Sequence, residues 1–189
     1  MTRKPTALDT LYQLRLQLQE IEPPIWRQVR VRGSLGLDGL HAVIQKVMGW
    51  KDYHLHEFTV RGERYGVPDP EEPNDALRPD DTLTLCEAAP VEGLTLAYIY
   101  DFGDDWQVTI RVERIEPTPV PPPPPACLAG ARAAPPEDCG GPPGYEELCE
   151  ILANPRHPEH AERRRWAGRA FDPEAFDLAA VNRRLRRLK

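Results

Sequence analysis

From Tyr12 the chain alternates without interruption: Tyr12, Leu14, Leu16 and Leu18 fall on one side, and Gln13, Arg15, Gln17 and Gln19 on the other. A period of two is that of a strand with one buried face. Glu22-Pro23-Pro24 turns the chain, after which Ile25, Val29 and Val31 alternate with Gln28, Arg30 and Arg32. The spacing predicts a second strand, antiparallel to the first. Beyond Gly33 to Gly36 the period becomes helical, with Leu37, Leu40, Ile44 and Val47 on one stripe. Asp38 suits the positive end of that helix, and Gly49 stops it. The helix is predicted to pack across the sheet.

His54 to Val60 reads as a short strand, in which His54 and His56 point to the same face. A proline-bearing acidic loop runs from Gly66 to Asp81, and Leu83 and Leu85 suggest another short strand. Leu94, Leu96, Tyr98 and Tyr100 alternate into Asp101-Phe-Gly-Asp-Asp105, and Trp106, Val108, Ile110 and Val112 alternate out of it, which predicts a hairpin. Eleven of the 22 prolines lie between Pro117 and Pro143, a stiff stretch unable to join a central ladder. Helices follow: one carries Tyr145, Leu148, Ile151 and Leu152 and ends at Asn154-Pro155, and one covers His160 to Gly168. The last has Asp172 as N-cap and Pro173 at its first position, with Leu178, Val181, Leu185 and Leu188 on its apolar stripe. The reading is an α+β fold: a mixed or antiparallel sheet with one helix across it and a helical C-terminal part. Its strand-strand-helix-strand opening is compatible with a β-grasp-like arrangement. Residues 1–116 make the sheet core, 117–143 a Pro-rich connector, and 144–189 helices docked on the core as one compact unit.

Composition narrows the class. The 189 residues, 40% apolar and 29% charged, suffice for one core. No apolar run nears the ~20 residues of a spanning helix, and Met1-Thr-Arg-Lys-Pro-Thr lacks a secretory apolar stretch, so a cytoplasmic chain without membrane contact is expected. The net charge of −6 conceals an acidic middle, with 7 Lys+Arg against 21 Asp+Glu in residues 51–150, and a basic tail, 10 against 5 in residues 151–189. Such a tail docks on the protein's own acidic face or stays solvated more readily than it binds DNA. Cys86, Cys127, Cys139 and Cys149 form no C-x-x-C pair.

Candidate chemistry gathers in two loops. Asp101, Asp104, Asp105, Glu137 and Asp138 are carboxylates suited to Mg²⁺ or Mn²⁺, and His54 and His56 would shift preference toward Zn²⁺ or Fe²⁺. A divalent metal held by His54, His56, Asp101 and Asp104 would serve a metal-dependent hydrolase or nuclease. The alternative is that the aspartates close their own loop through Asx-turns and the histidines line the sheet. Gly140-Gly141 before a helix could cradle a phosphate, or simply turn the chain into that helix. Cys127 and Cys139 flank this segment, as a shared zinc pair or as ordinary thiols. Trp26, Trp50, Trp106 and Trp166 are read as core or interface anchors in preference to base-stacking platforms. Ser34, the single serine, lacks a nucleophile elbow, and Cys149 sits within an amphipathic helix.

Several segments in order resemble the plasmid pRiA4b ORF-3-like family. They are Pro23-Pro24-Ile25-Trp26-Arg27, Leu40-His41-x-x-Ile44-Gln45-x-x-Met48-Gly49-Trp50 with His54-Leu55-His56-x-Phe58, Tyr100-Asp101-Phe102-Gly103-Asp104-Asp105-Trp106, and Pro135-Pro136-Glu137-Asp138-Cys139-Gly140-Gly141 with Gly144-Tyr145. Phe171-Asp172-Pro173 and Val181-Asn182 also fit. The family includes the accessory protein carried beside the transposase in some mycobacterial insertion elements. The resemblance implies no particular reaction. It implies an accessory or regulatory binding protein of plasmids and transposons, with a protein or nucleic-acid partner. The face expected to meet it comprises Asp101, Asp104, Asp105, Trp106, Glu137, Asp138 and Tyr145. Members often carry a histidine where this chain has Val108.

Overall fold

The computed structural model describes residues 10–68, 76–118 and 122–188. Strands β1 (Thr10–Leu18) and β2 (Trp26–Arg32) pair antiparallel, Leu14 facing Val29 and Leu16 facing Arg27. Helix α1 (Leu37–Met48) follows, with the predicted stripe buried and Gly49 in the left-handed C-cap conformation, φ 86°. Its N–H closes on Gln45 O, a geometry that glycine adopts without a Cβ penalty. The next strands are β3 (His56–Val60), β4 (Glu63–Gly66) and β5 (Leu77–Pro79). After a 3-10 turn at Asp80–Thr82 and the short helix α2 (Leu85–Ala88) come β6 (Thr95–Tyr100), β7 (Trp106–Pro117) and β8 (Ala126–Ala131). Helices α3 (Gly141–Ala153), α4 (His160–Trp166) and α5 (Leu178–Leu185) complete the chain.

All eight strands form one mixed sheet in the order β5-β4-β3-β6-β7-β1-β2-β8, and its parallel pair, β4 with β5, lies at one edge. The strand-strand-helix-strand opening is thus embedded in a larger antiparallel array. Along the register, Phe58, Tyr98, Val108, Ile110, Leu16, Leu14 and Val29 lie on the face that belongs to the core with Leu37, Leu40, Ile44 and Val47 of α1. Removing each such side chain from water contributes about 1.5–3 kcal/mol. Polar residues occupy the opposite face of the central strands, where Gln13 and Gln28 both donate to Glu113. Val108 is buried.

Four local expectations change. His54 precedes β3 instead of lying in it, so the two histidines do not share a strand face. Leu83 and Leu85 do not form a strand: Thr84 makes one bridge to Gly36 and then caps α2, its hydroxyl and the Glu87 carboxylate forming a capping box. The stretch read as a connector contributes β8, an edge strand on β2, which its prolines permit because Ala126–Ala131 contains none. The last helix begins five residues late. Asp177 caps it by accepting from Ala180 N, while Asp172 accepts from Glu174 N in the preceding turn. The loop reading of 66–81 falls partly outside the described residues, which resume with β5.

The basic tail docks on the chain itself. Helix α5 packs on β8 and α1, and Arg184 donates to Lys46 O near the end of α1. Asn182 clamps β8, accepting from Cys127 N and donating to Cys127 O. No described helix is long and apolar enough to cross a membrane.

Candidate functional site

The β6–β7 hairpin loop is built around one carboxylate. Asp101 Oδ1 accepts from Gly103 N at 3.0 Å and Asp104 N at 3.3 Å, the predicted Asx-turn, and Asp101 and Asp105 both take positive φ. Asp104 is turned outward and its Oδ2 accepts from Gly140 N at 3.1 Å. That carboxylate takes the N–H of the glycine pair, so the helix entry is a turn held by Asp104 and not an open phosphate cradle. Gly141 is required there, because its φ is 68° and a Cβ would stand 2.5 Å from Asp104 O. This union brings Glu137 and Asp138 beside Asp101.

His54 completes the group from the segment before β3. Its Nε2 lies 3.1 Å from Asp138 Oδ1, 3.5 Å from Asp101 Oδ2 and 4.0 Å from Glu137 Oε2. The nitrogen is buried yet makes no aligned hydrogen bond, the short Asp138 approach notwithstanding. A lone pair aimed at carboxylates is repelled by them, and an N–H aimed there lacks a well-directed acceptor. A cation among the four groups resolves both. His54, Asp101 and Asp138 are the one group of three or more His, Cys, Asp and Glu residues among those described whose ligand atoms all lie within 4.8 Å of one another.

Glu137 is positioned for support. Its Oε1 accepts from Lys51 N at 2.6 Å and from the Tyr100 hydroxyl at 3.1 Å. Burial, reinforced by Glu137, pushes the Tyr100 phenol well above its ordinary value, so it remains a donor. Trp50 stacks on Tyr100 with centroids 4.9 Å apart and donates to Pro135 O, tying the second loop to the core. The rim is apolar: Tyr53 is 66% exposed, Leu55 61% and Phe102 53%, flanking His54 and Asp101.

Other predicted site residues lie elsewhere. His56 is committed to Asp80 at 2.8 Å and stacks on His41 at 3.5 Å between centroids, so it is not a partner of His54 in holding a metal. Asp105 accepts from Gln107, outside the cluster. Trp106 and Tyr145 are buried, which removes both from any contact face. Trp50 is buried too, whereas Trp166 is largely exposed and Trp26 lies under Arg15. Among the described residues, neither Cys127 nor Cys139 belongs to a group that could hold a metal ion. Burial, with Asp104 nearby, pushes the Cys139 thiol up to about 12.

A second polar cluster was not legible in the sequence. Gln45 Nε2 donates to Tyr98 OH, and Asp52 N to Gln45 Oε1. His41 joins Tyr98 OH through Nδ1 and Asp52 Oδ1 through Nε2, each at 2.9 Å. The loop closes with every donor matched when His41 is neutral, accepting from Tyr98 and donating to Asp52. Burial and then His56 lower the His41 pKa, outweighing Asp52. At Asp80, burial raises the pKa, but the His56 hydrogen bond and the His56 and His41 charges together leave it lowered.

The sequence model of the plasmid pRiA4b ORF-3-like protein family matches residues 10–180. An uncharacterised protein of Sinorhizobium fredii, y4hQ, is 38% identical over 179 residues, covering 92% of this chain and 90% of that protein. A crystal structure of a protein of unknown function from Methanosarcina mazei superposes with a TM-score of 0.82 at 40% identity, covering 90% of this chain and 96% of the other. A match spanning both site loops, together with full-length likeness in sequence and fold, makes this chain a member of the plasmid pRiA4b ORF-3-like family.

Proposed function

We propose that this chain is a metal-organised binding protein. A divalent cation seated among His54 Nε2, Asp101 Oδ2 and Asp138 Oδ1 fixes the face carrying Tyr53, Leu55 and Phe102, and that face docks a protein partner. The observation behind this reading is the buried Nε2 of His54, which makes no aligned hydrogen bond and is turned toward three carboxylates. One imidazole with carboxylate oxygens suits Zn²⁺, Mn²⁺ or Fe²⁺. A protein partner is favoured over nucleic acid because the surrounding carboxylates repel phosphates, while exposed aromatic and aliphatic side chains suit an interface centre. The family's description as a plasmid reading frame supports an accessory role on a mobile element.

A second reading, metal-dependent hydrolysis, is favoured by the open side of the cluster. The Asp138 side chain is 68% exposed and that of His54 29%, so a bound ion would keep positions free for water and substrate. Glu137 stands close enough to orient that water.

Calorimetric titration of EDTA-stripped protein with Zn²⁺ and Mn²⁺ tests the proposal. Saturation near one ion per chain is expected, weakened by about tenfold or more in His54→Gln and in Asp138→Asn. These variants spare the Asp101 and Asp104 carboxylates, which hold the loop backbone. Absence of saturable binding by either ion refutes the site. Hydrolysis of a phosphodiester by the loaded protein, lost in His54→Gln, would establish the second reading over the first.

A further inference from the structure

We infer that the cavity between Arg27 and Arg184 is a binding site for a small organic oxyanion with an apolar body. None of His54, Asp101, Glu137 and Asp138 lines this cavity, so the inference stands independently of the metal cluster. Arg27 projects from β2 onto the core face and is 2% exposed. Its Nε donates to Val47 O at 3.1 Å, and its Nη1 to Trp26 O and Ala131 O, both at 2.8 Å. Its plane lies over Phe176 at 4.7 Å. Among the described residues, Nη2 donates to nothing, and no carboxylate lies within ion-pair distance of this guanidinium. A buried charge in that condition costs free energy that a counter-ion recovers.

Arg184 of α5 lines the same cavity, whose volume is about 380 Å³. Its Nε is used on Lys46 O, and neither of its terminal nitrogens donates to a described residue. Burial lowers the pKa of Arg184, and burial with Arg184 nearby lowers that of Arg27 to about 10. Two cations thus share one desolvated space. Of the two carboxylates that also line the cavity, Asp172 accepts from Glu174 N, while Asp177 caps α5 through Ala180 N, lies 3.9 Å from Arg183 and partly offsets the charge of Arg184, so Arg27 is the cation left without a carboxylate. Met48, Phe171 and Phe176 supply apolar wall. Planar guanidinium forks recognise carboxylate and phosphate alike, so the shared chemistry is an oxyanion, and the wall and volume call for an organic body behind it.

The experiment titrates the full chain with acetate, benzoate, inorganic phosphate and phenyl phosphate at constant ionic strength, following the Arg Nε–H resonances by NMR. Benzoate or phenyl phosphate is expected to shift Arg27 and Arg184 saturably and to bind more tightly than acetate or inorganic phosphate, and the stronger of the two identifies carboxylate or phosphate as the group held. Arg184→Gln should weaken binding at least about tenfold, the loss typical of a charge-assisted pair. No saturable shift with any of the four anions overturns the inference, as does undiminished binding in Arg184→Gln. Arg27→Gln is a second variant. The wild-type resonances decide the matter even where that substitution impairs folding.

Discussion

Acidification below about pH 6.5 should destabilise this protein through His41. The neutral imidazole is the form that closes the loop of Gln45, Tyr98 and Asp52, and its pKa is lowered in the folded state by burial and then by His56. The unfolded histidine titrates near about 6.5. A folded pKa below that value means the stabilisation is complete above pH 6.5 and is lost as pH falls toward the folded value. Lowering the pH from 7.5 to 5.0 costs at most about 2 kcal/mol, the limit set by one proton bound to the unfolded side chain below about pH 6.5 at about 1.4 kcal/mol per pH unit. A denaturant slope of about 2 kcal/mol per M converts this into a urea midpoint lower by about 1 M. Asp80 does not confuse the range, because its lowered carboxyl pKa keeps its contribution intact above the ordinary aspartate value of about 3.9. The assay is urea unfolding across pH 5.0–7.5 in EDTA, for wild type and His41→Gln. The variant should be less stable at pH 7.5 and show a flatter pH dependence. Parallel curves for the two proteins would refute the reasoning.

Three further outcomes follow from packing and titration. Gly141→Ala forces a Cβ against Asp104 O at positive φ and should cost about 1–3 kcal/mol in urea unfolding. Leu16→Ala, at a fully buried position facing Arg27 and Ile110, should cost about 2–5 kcal/mol, whereas Leu55→Ala, on the exposed rim, should stay within about 0.5 kcal/mol. Cys139, with its thiol near 12, should be alkylated by iodoacetamide at pH 8 far more slowly than a free cysteine, since its thiolate fraction is only about one in ten thousand.

Much of the scaffold was legible because its strands bury one face each. Period two placed β1, β2, β6 and β7, and the change of period with Gly49 bounded α1 to the residue. Where propensity and pattern were short, tertiary contacts decided. Thr84-Leu85 became a bridge and a helix start, Ala126–Ala131 found β2 as a partner, and α5 took Asp177 instead of Asp172 as its cap. The site loops were visible as clustered carboxylates, and the union of Asp101, Glu137 and Asp138 depends on Asp104 reaching Gly140 across 36 positions. Such a contact leaves no periodicity to read. His54 and His56 looked equivalent because alternation was extended one residue pair too far. Asp52 and Asp80 carried no sequence signal as histidine partners.

The most direct test of the account is to locate the ion. Crystals grown or soaked with Zn²⁺ and measured on both sides of the zinc absorption edge should show one anomalous peak between His54 Nε2, Asp101 Oδ2 and Asp138 Oδ1, at about 2.0–2.2 Å from each ligand atom. The same peak should be missing in His54→Gln. Anomalous density confined to His157, His160 or lattice contacts, with the His54 cluster unchanged, would contradict the metal-organised face.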